Sequence, residues 1–404
     1  MKQYTPFEYL QINLANHYGL DKEQFEDRIA WVKENNAVLE HRTLTANDAF
    51  RYRAALLAYR DVQTGKPIGY LVGLDAAASG IAILGALTGC KTTAANTGIT
   101  GTRRRDIYGK CTKVMSDLLG ADVEVDRDPV KKALMTSYYG SKAKPKEVFG
   151  EDTPELQAFY EAAETVAPGA NALKEILLMA WQPYADLHEW IMPDGFHVRL
   201  PVLQTMESRL EVDELDHTTI KMLYEDNIGT ERGLSLVANV THSCDSLMVR
   251  EVGRRCKYDQ EQLLAAAELL EYRLTRSNIP GQETFHIERL WRQTGFLSLV
   301  GIEHVMGATC TSWFNEDYCE ALLGLIKTTL AKPSFDILFI HDEYLCHPNY
   351  MNHVRQTVID VLAEMADSNL ASDILSQITG SPVNVSRLST DLGDEIRKSE
   401  YIIN

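Results

Sequence analysis

The stretch GKPIGYLVGLDAAASG, residues 65–80, changes character at its midpoint. Ile68 to Leu74 is short, apolar and suited to a strand. Asp75 ends it, and the chain continues through small residues into SGIAILGALTG, which reads as a buried helix. FDILFIHDEY, residues 335–344, repeats the pattern: an apolar strand running out into polar residues, with Asp342 at its end. One such aspartate is ordinarily a turn residue or a helix cap. Two of them at the ends of adjacent strands can hold two divalent cations about 4 Å apart. Oxygen-only ligands of this kind suit Mg²⁺.

Around these strands the chain reads as helix. Residues 6–62 are expected to be helical, with Asp21 capping EQFEDRIAWVKENN and Asn47 or Asp48 capping NDAFRYRAALLAYRD. RRRDIYGKCTKVMSDLLG predicts an amphipathic helix with a basic start. Helices are also expected over 152–190, over most of 233–331 and from Pro348 to Asp367. PDGFHVRL predicts a turn into a strand, and ESRLEVDELDHTTIKMLYED an acidic hairpin. There is no internal repeat or low-complexity linker. The fold class is α/β in the α+β sense: a mainly helical protein around a small sheet.

RDPVKKALMTSYYGSK, residues 127–142, spaces Arg127, Lys131, Met135 and Tyr139 four apart, on one helical face. Asp128-Pro129 reads as the cap and first turn, leaving Arg127 at or just outside it. Two cations four apart repel unless an anion lies between them, and a triphosphate meets that need. Tyr139, one turn on, can then stack on a base or touch a sugar, and Gly140 permits close approach. The plain alternative is a solvated basic face.

The net charge is −17, the wrong sign overall for phosphate-driven binding. It favours a metabolic enzyme or a subunit of something larger. Positive charge nonetheless concentrates between Arg103 and Lys146. No apolar run is long enough to cross a membrane, and MKQYTPFEYLQINL does not read as a signal peptide. The seven scattered cysteines read as reduced cytosolic thiols. His341, Cys346, His347 and His353 fit no common zinc spacing. Adjacent His242 and Ser243 do not make a triad. There is no P-loop and no GxGxxG.

These motifs together resemble the phage-type single-subunit RNA polymerases, relatives of the family A DNA polymerases. LDAAASGI is similar to the first palm motif, with Asp75 and Ala76 as metal-binding residues. RDPVKKALMTSYYGSK is similar to the fingers helix, whose Arg and Lys hold the triphosphate and whose Tyr-Gly senses ribose and template base. IHDEY resembles the last palm motif, with Asp342 as the second metal ligand. RRRDIYGK with Tyr108, WIMPDGFHV, and VANVTHSCDS with His242 and Asp245 resemble further segments in the family's order. LGDEIRKSEYIIN is similar to a tail that folds back near the active site. The resemblance implies a right-hand palm and fingers around a small antiparallel sheet. It also implies two Mg²⁺ ions, and a DNA template, nascent RNA and NTPs as partners. Catalytic roles fall to Asp75, Asp342, Lys131 and Tyr139. Substrate contacts fall to Arg127, Lys131, Tyr139, Gly140, His242, Tyr108 and Gly80. Family A DNA polymerases carry a Glu where this chain has Gly80, so the resemblance favours ribonucleotides.

The resemblance implies four segments: a helical module at 1–66, palm at 67–91, fingers at 92–242, and palm at 243–404 with a helical insertion near 251–331. The chain shows no counterpart of the family's N-terminal domain, thumb or upstream Gly-Arg motif. That layout is similar to the larger, palm-and-fingers subunit of the split, heterodimeric enzymes of certain podoviruses. It implies a second subunit supplying the missing parts, no membrane, and a place in the cytoplasm of an infected bacterial host. The counterpart of the promoter-reading hairpin carries Glu207, Glu211, Asp213, Glu214 and Asp216, which repel DNA phosphates. A single-stranded template or a recruiting protein is therefore expected. Three rivals are a family A-like DNA polymerase, a non-catalytic nucleic-acid-binding subunit of the same fold, and a metal-dependent phosphohydrolase.

Overall fold

The computed structural model describes residues 1–120, 123–227, 233–275, 286–307 and 314–404. It is a mainly helical α+β fold with small antiparallel sheets. Residues 276–285 and 308–313 of the expected insertion lie outside the described residues.

The first segment is helical, as its patterning predicts: α1 (Pro6–Ala15), α2 (Phe25–Glu34), which starts after Gln24 rather than at a capping Asp21, and α3 (Ala49–Gln63). Thr5 and Glu8 form a capping box on α1, and Asp48 caps α3. Such a cap contributes about 1 kcal/mol. The three-stranded sheet comes next. β1 (Val72–Asp75) buries Val72 and Leu74 and leaves Asp75 exposed at its end. It feeds α4 (Ser79–Leu87), an all-round buried helix, through Ala78 at φ 54.

The basic region forms α5 (Lys91–Thr97), α6 (Ile107–Leu119), α7 (Arg127–Tyr138) and α8 (Ala143–Phe149). The cap of α7 is Asp126, not Asp128, and Arg127 is its first helical residue. Pro129 is tolerated because the first-turn N–H groups lack intrahelical partners. Gly140, at φ 92, ends the helix: its N–H donates to the Ser137 carbonyl and that of Ser141 to the Thr136 carbonyl, a Schellman motif.

α9 (Pro154–Val166) and α10 (Pro168–Met179) follow. The helix expected to run to residue 190 stops at Met179, and Leu187–Ile191 is instead strand β2, paired with β3 (His197–Pro201). The turn of this hairpin is pinned by Asp194, whose side chain is fully buried and takes Arg250 at 2.6 Å and Arg254 at 3.0 Å. β4 (Gln204–Val212) and β5 (Thr218–Asp226) form a separate antiparallel ribbon, as the sequence predicts.

Both of those arginines lie on α11 (Leu234–Cys256), the longest described helix. It packs against α4, α10 and α16 (Met351–Asp367). The segment expected as an insertion holds α12 (Gln260–Leu274), α13 (His286–Thr294), α14 (Gly301–Gly307) and α15 (Glu316–Leu330). It has its own small core of Leu263, Leu270, Phe314, Tyr318 and Leu322. The main core instead runs from Tyr4 to Ile403. FDILFIHDEY is a hairpin rather than one strand: β6 (Ile337–Ile340) turns through His341 and Asp342 into β7 (Glu343–Cys346). The sheet order is β1-β7-β6, with Asp75 paired to Glu343. α17 (Leu370–Thr379) and α18 (Leu392–Ile396) lead to a tail that returns to β1. There Asn404 N–H donates to the Asp75 carbonyl at 2.9 Å, and Ile403 bridges Ala76.

Candidate active site

A cleft of about 970 Å³ opens over the ends of β1 and the β6–β7 turn. Asp75, Ala76, Gly80, Tyr108, Arg127, Lys131, Tyr139, His242 and Asp342 all line it. Gly140 does not line it; it sets where Tyr139 stands by ending α7.

The floor is carboxylate. Asp75 and Asp342 both line it, and the Asp342 charge acts on Asp75. Burial, then the Asp342 and Glu343 charges, push the Asp75 carboxyl up to about 7. Asp75 still meets cleft water, which tempers the cost of its charge. Two residues in unfavourable backbone flank the pair, Ala78 at φ 54 and His341 at φ 57. A two-residue hairpin loop calls for positive φ, and the strain of such a residue, of order 1–3 kcal/mol, is typical of sites held rigid by their surroundings. Glu343 turns over Gly73, where a Cβ would lie 2.3 Å from its Oε1, and pairs with Arg51 at 3.6 Å.

One wall is basic and aromatic. Arg127 donates through Nε and Nη2 to both oxygens of Asp106, at 2.7 and 3.0 Å. Burial alone would raise the Asp106 carboxyl, but Arg127 holds it below the usual range. Asp106 also caps α6 by accepting the Tyr108 N–H. The Arg127 guanidinium and the Lys131 ammonium lie 5.7 and 5.8 Å from the Tyr108 ring. This fork leaves Arg127 Nη1 clear of Asp106, with the exposed Asp128 carboxylate 3.8 Å away. Asp106→Asn keeps the cap but weakens the fork, and is expected to raise the KM for a nucleoside triphosphate about tenfold, the scale of one charge-assisted hydrogen bond. Steady-state kinetics with little change in kcat would bear this out; an unchanged KM would separate Arg127 from substrate.

The opposite wall is α11. Its His242 ring lies 4.9 Å from the Tyr139 ring. A Cβ added at Gly80 would lie 3.0 Å from the Tyr139 hydroxyl and 3.1 Å from Thr241 Cγ2.

Residues 3–146 match the family of DNA-dependent RNA polymerases. The matched span covers a little over a third of the chain and contains β1, Gly80, Tyr108 and all of α7, but neither His242 nor Asp342. The match supports a place in that family. No curated protein matches the chain.

Several groups in the cleft carried no role in the sequence reading. Asp245 lies one turn beyond His242; burial, then the Asp342 charge, push its carboxyl up to about 6. Its Oδ1 is buried without a hydrogen-bond partner. The i, i+3 spacing from His242 is the signal that places it on the same face. Arg51, Arg104, Arg250 and Asn404 also line the cleft, and only the tertiary fold brings them there. Asn404 Oδ1 accepts from Arg104 at 2.7 Å. Outside the cleft, the exposed trio Glu211, Asp213 and His217 brings its ligand atoms within 4.8 Å of one another at the ribbon tip.

No membrane-length apolar helix occurs among the described residues.

Proposed function

We propose that the chain is the palm-and-fingers part of a DNA-directed RNA polymerase that joins ribonucleotides by two-metal nucleotidyl transfer. The observation that carries this reading is the cleft itself. Two mutually repelling carboxylates, Asp75 and Asp342, stand below a wall bearing Arg127 and Lys131, beside a Tyr139–His242 pair. Elevation of the Asp75 carboxyl and the orphaned Asp245 oxygen mark a place short of positive charge, and the all-oxygen donor set fits Mg²⁺. Asp75, the Ala76 backbone and Asp342 would hold the ions. Bound there, two such ions neutralise the attacking and leaving oxygens of an in-line displacement.

The chain's own groups do the rest. Arg127 Nη1 and Lys131 receive the triphosphate and keep its charge in the cleft as pyrophosphate leaves. Tyr108 packs beneath both cations and sets their height. Tyr139, packed against the His242 ring and standing over Gly80, lies where a ribose would lie. Gly80 leaves that space open, which favours a sugar bearing a 2′-hydroxyl over the DNA polymerase alternative. DNA template and nascent RNA would run along the remaining cations of the cleft. The retained carboxylates and basic wall oppose a non-catalytic role.

A second chain completing the enzyme, as in the split podoviral polymerases, belongs to the same proposal. The free edge of the catalytic sheet supports it: Leu338 and Ile340 on β6 stand open to solvent. So do Leu44 and Phe50 near α3. The test is primed RNA extension on single-stranded DNA with Mg²⁺ and rNTPs, by this chain alone and co-expressed with its genomic neighbours. Extension only with a second chain is the expected result. Extension by the chain alone would remove the partner. No extension in either format, with folding and complex formation verified, would defeat the catalytic reading.

A further inference from the structure

The β4–β5 ribbon is two-faced in a way its exposure does not explain. Its register puts Met206 opposite Tyr224, Ser208 opposite Met222, Leu210 opposite Ile220 and Val212 opposite Thr218. Alternate residues share a face, so Met206, Leu210, Val212, Ile220, Met222 and Tyr224 form one nearly continuous apolar surface. The other face pairs Thr205 with Glu225, Glu207 with Leu223, Arg209 with Lys221 and Glu211 with Thr219. An amphipathic sheet normally packs its apolar face on a core. Here every residue of β5 is exposed, and Leu210, Ile220, Met222 and Tyr224 each expose between 43% and 51% of their surface. A two-stranded ribbon alone is at best marginally stable in water, and an open apolar patch marks a binding surface.

We propose that this apolar face is the docking surface for a separate protein of basic character. Charge decides the occupant. Residues 204–226 hold seven carboxylates against Arg209 and Lys221. Four of the seven, Glu211, Asp213, Glu214 and Asp216, crowd the tip beside the apolar face. Duplex DNA and an anionic membrane are repelled by that rim. A second copy would bring the same acidic rim, on a chain of net charge −17. A partner with apolar side chains bordered by Lys and Arg satisfies both features. Nine residues per strand give a face about 30 Å long and about 10 Å wide. A standard interface takes about 800 Å² from each partner, so the occupant also reaches past the ribbon.

The test uses the full-length chain with a photo-crosslinking benzoylphenylalanine at Met222, expressed where the protein naturally acts. The crosslinked species is identified, purified and titrated against wild type and against Leu210→Ser/Ile220→Ser/Met222→Ser/Tyr224→Ser. These side chains are solvent-facing, so melting temperature should hold and serves as the folding control. The expected result is an adduct with one protein whose crosslinked segment is basic, at least a tenfold weaker Kd for the variant, and weaker wild-type binding as salt rises. Thr205→Ser/Thr219→Ser on the opposite face should bind as wild type. An adduct with nucleic acid, an adduct with a second copy, no adduct, or equal binding of the fourfold variant would each overturn the proposal.

Discussion

Asp342→Asn is expected to abolish nucleotide incorporation, by roughly a thousandfold or more, while raising the melting temperature of the metal-free protein by roughly 1–2 °C. The two effects share a cause. Asp75 and Asp342 are held together by a rigid strand pair, and the carboxyl of Asp75 is pushed up to about 7 by burial, then by Asp342 and Glu343. A carboxyl whose folded value lies above its unfolded value of 3.8 stabilises the fold fully only when protonated. Its contribution is complete below about pH 4 and is lost as pH rises through about 7. In chelator, wild type should therefore lose melting temperature between pH 5 and pH 8 as this carboxyl ionises. Asp342→Asn should flatten that slope, because one of the two repelling charges is gone. Mg²⁺ should raise the wild-type melting temperature at pH 8 and do little for the variant. Calorimetry across this pH range, with and without Mg²⁺, measures all three. A variant that is less stable than wild type at pH 8, with the same slope, would mean that Asp342 is a structural turn residue. Loss of incorporation without the stability gain would leave catalysis intact as a reading but remove the electrostatic account of it.

The legible parts of this protein are those in which neighbouring residues decide the outcome. β1 was readable because Val72 and Leu74 alternate with small residues and stop at a carboxylate. α3, α6 and α7 were readable from caps and helical spacing, although Asp126 outcompetes Asp128 as the cap of α7. β2 was hidden because LHEWI is only five residues long and follows two real helices. β6 and β7 read as one strand because their turn residues, His341 and Asp342, lack the Asn-Gly chemistry that announces a tight hairpin; His341 adopts positive φ regardless. The site was half legible for the same reason. Arg127, Lys131 and Tyr139 announce themselves by spacing along one helix. Arg51, Arg104, Arg250 and Asn404 reach the same cleft from four different parts of the chain, and nothing local to any of them says so. Gly140 was legible as a glycine that matters, but its described work is to end α7 and so place Tyr139.

Gly80→Glu is expected to cut ribonucleotide incorporation at least a hundredfold and to lower the preference for rNTPs over dNTPs. A Cβ at this position would stand 3.0 Å from the Tyr139 hydroxyl, 3.2 Å from its ring carbon and 3.1 Å from the Thr241 methyl. A longer acidic side chain must then displace Tyr139 or enter the space beside it, where the 2′-hydroxyl of a ribose would sit, and would add negative charge next to Asp75. The smaller change separates shape from charge. Gly80→Ala places only the methyl, and its tightest contact is the far end of the Tyr139 side chain rather than backbone. It should lower incorporation several-fold, and Gly80→Ala/Tyr139→Phe should recover part of the loss, because the nearest atom has been removed. Gly80 lies in the first turn of α4, and the added methyl meets Tyr139 and the buried Thr241 methyl at 3.0–3.2 Å, so the melting temperatures of Gly80→Ala and Gly80→Ala/Tyr139→Phe are read beside incorporation as the folding control. Single-nucleotide incorporation with matched rNTP and dNTP pairs reads the outcome. Equal losses for both sugars, with no recovery in the double variant, would show that Gly80 serves helix packing against Thr241 and not the choice of sugar.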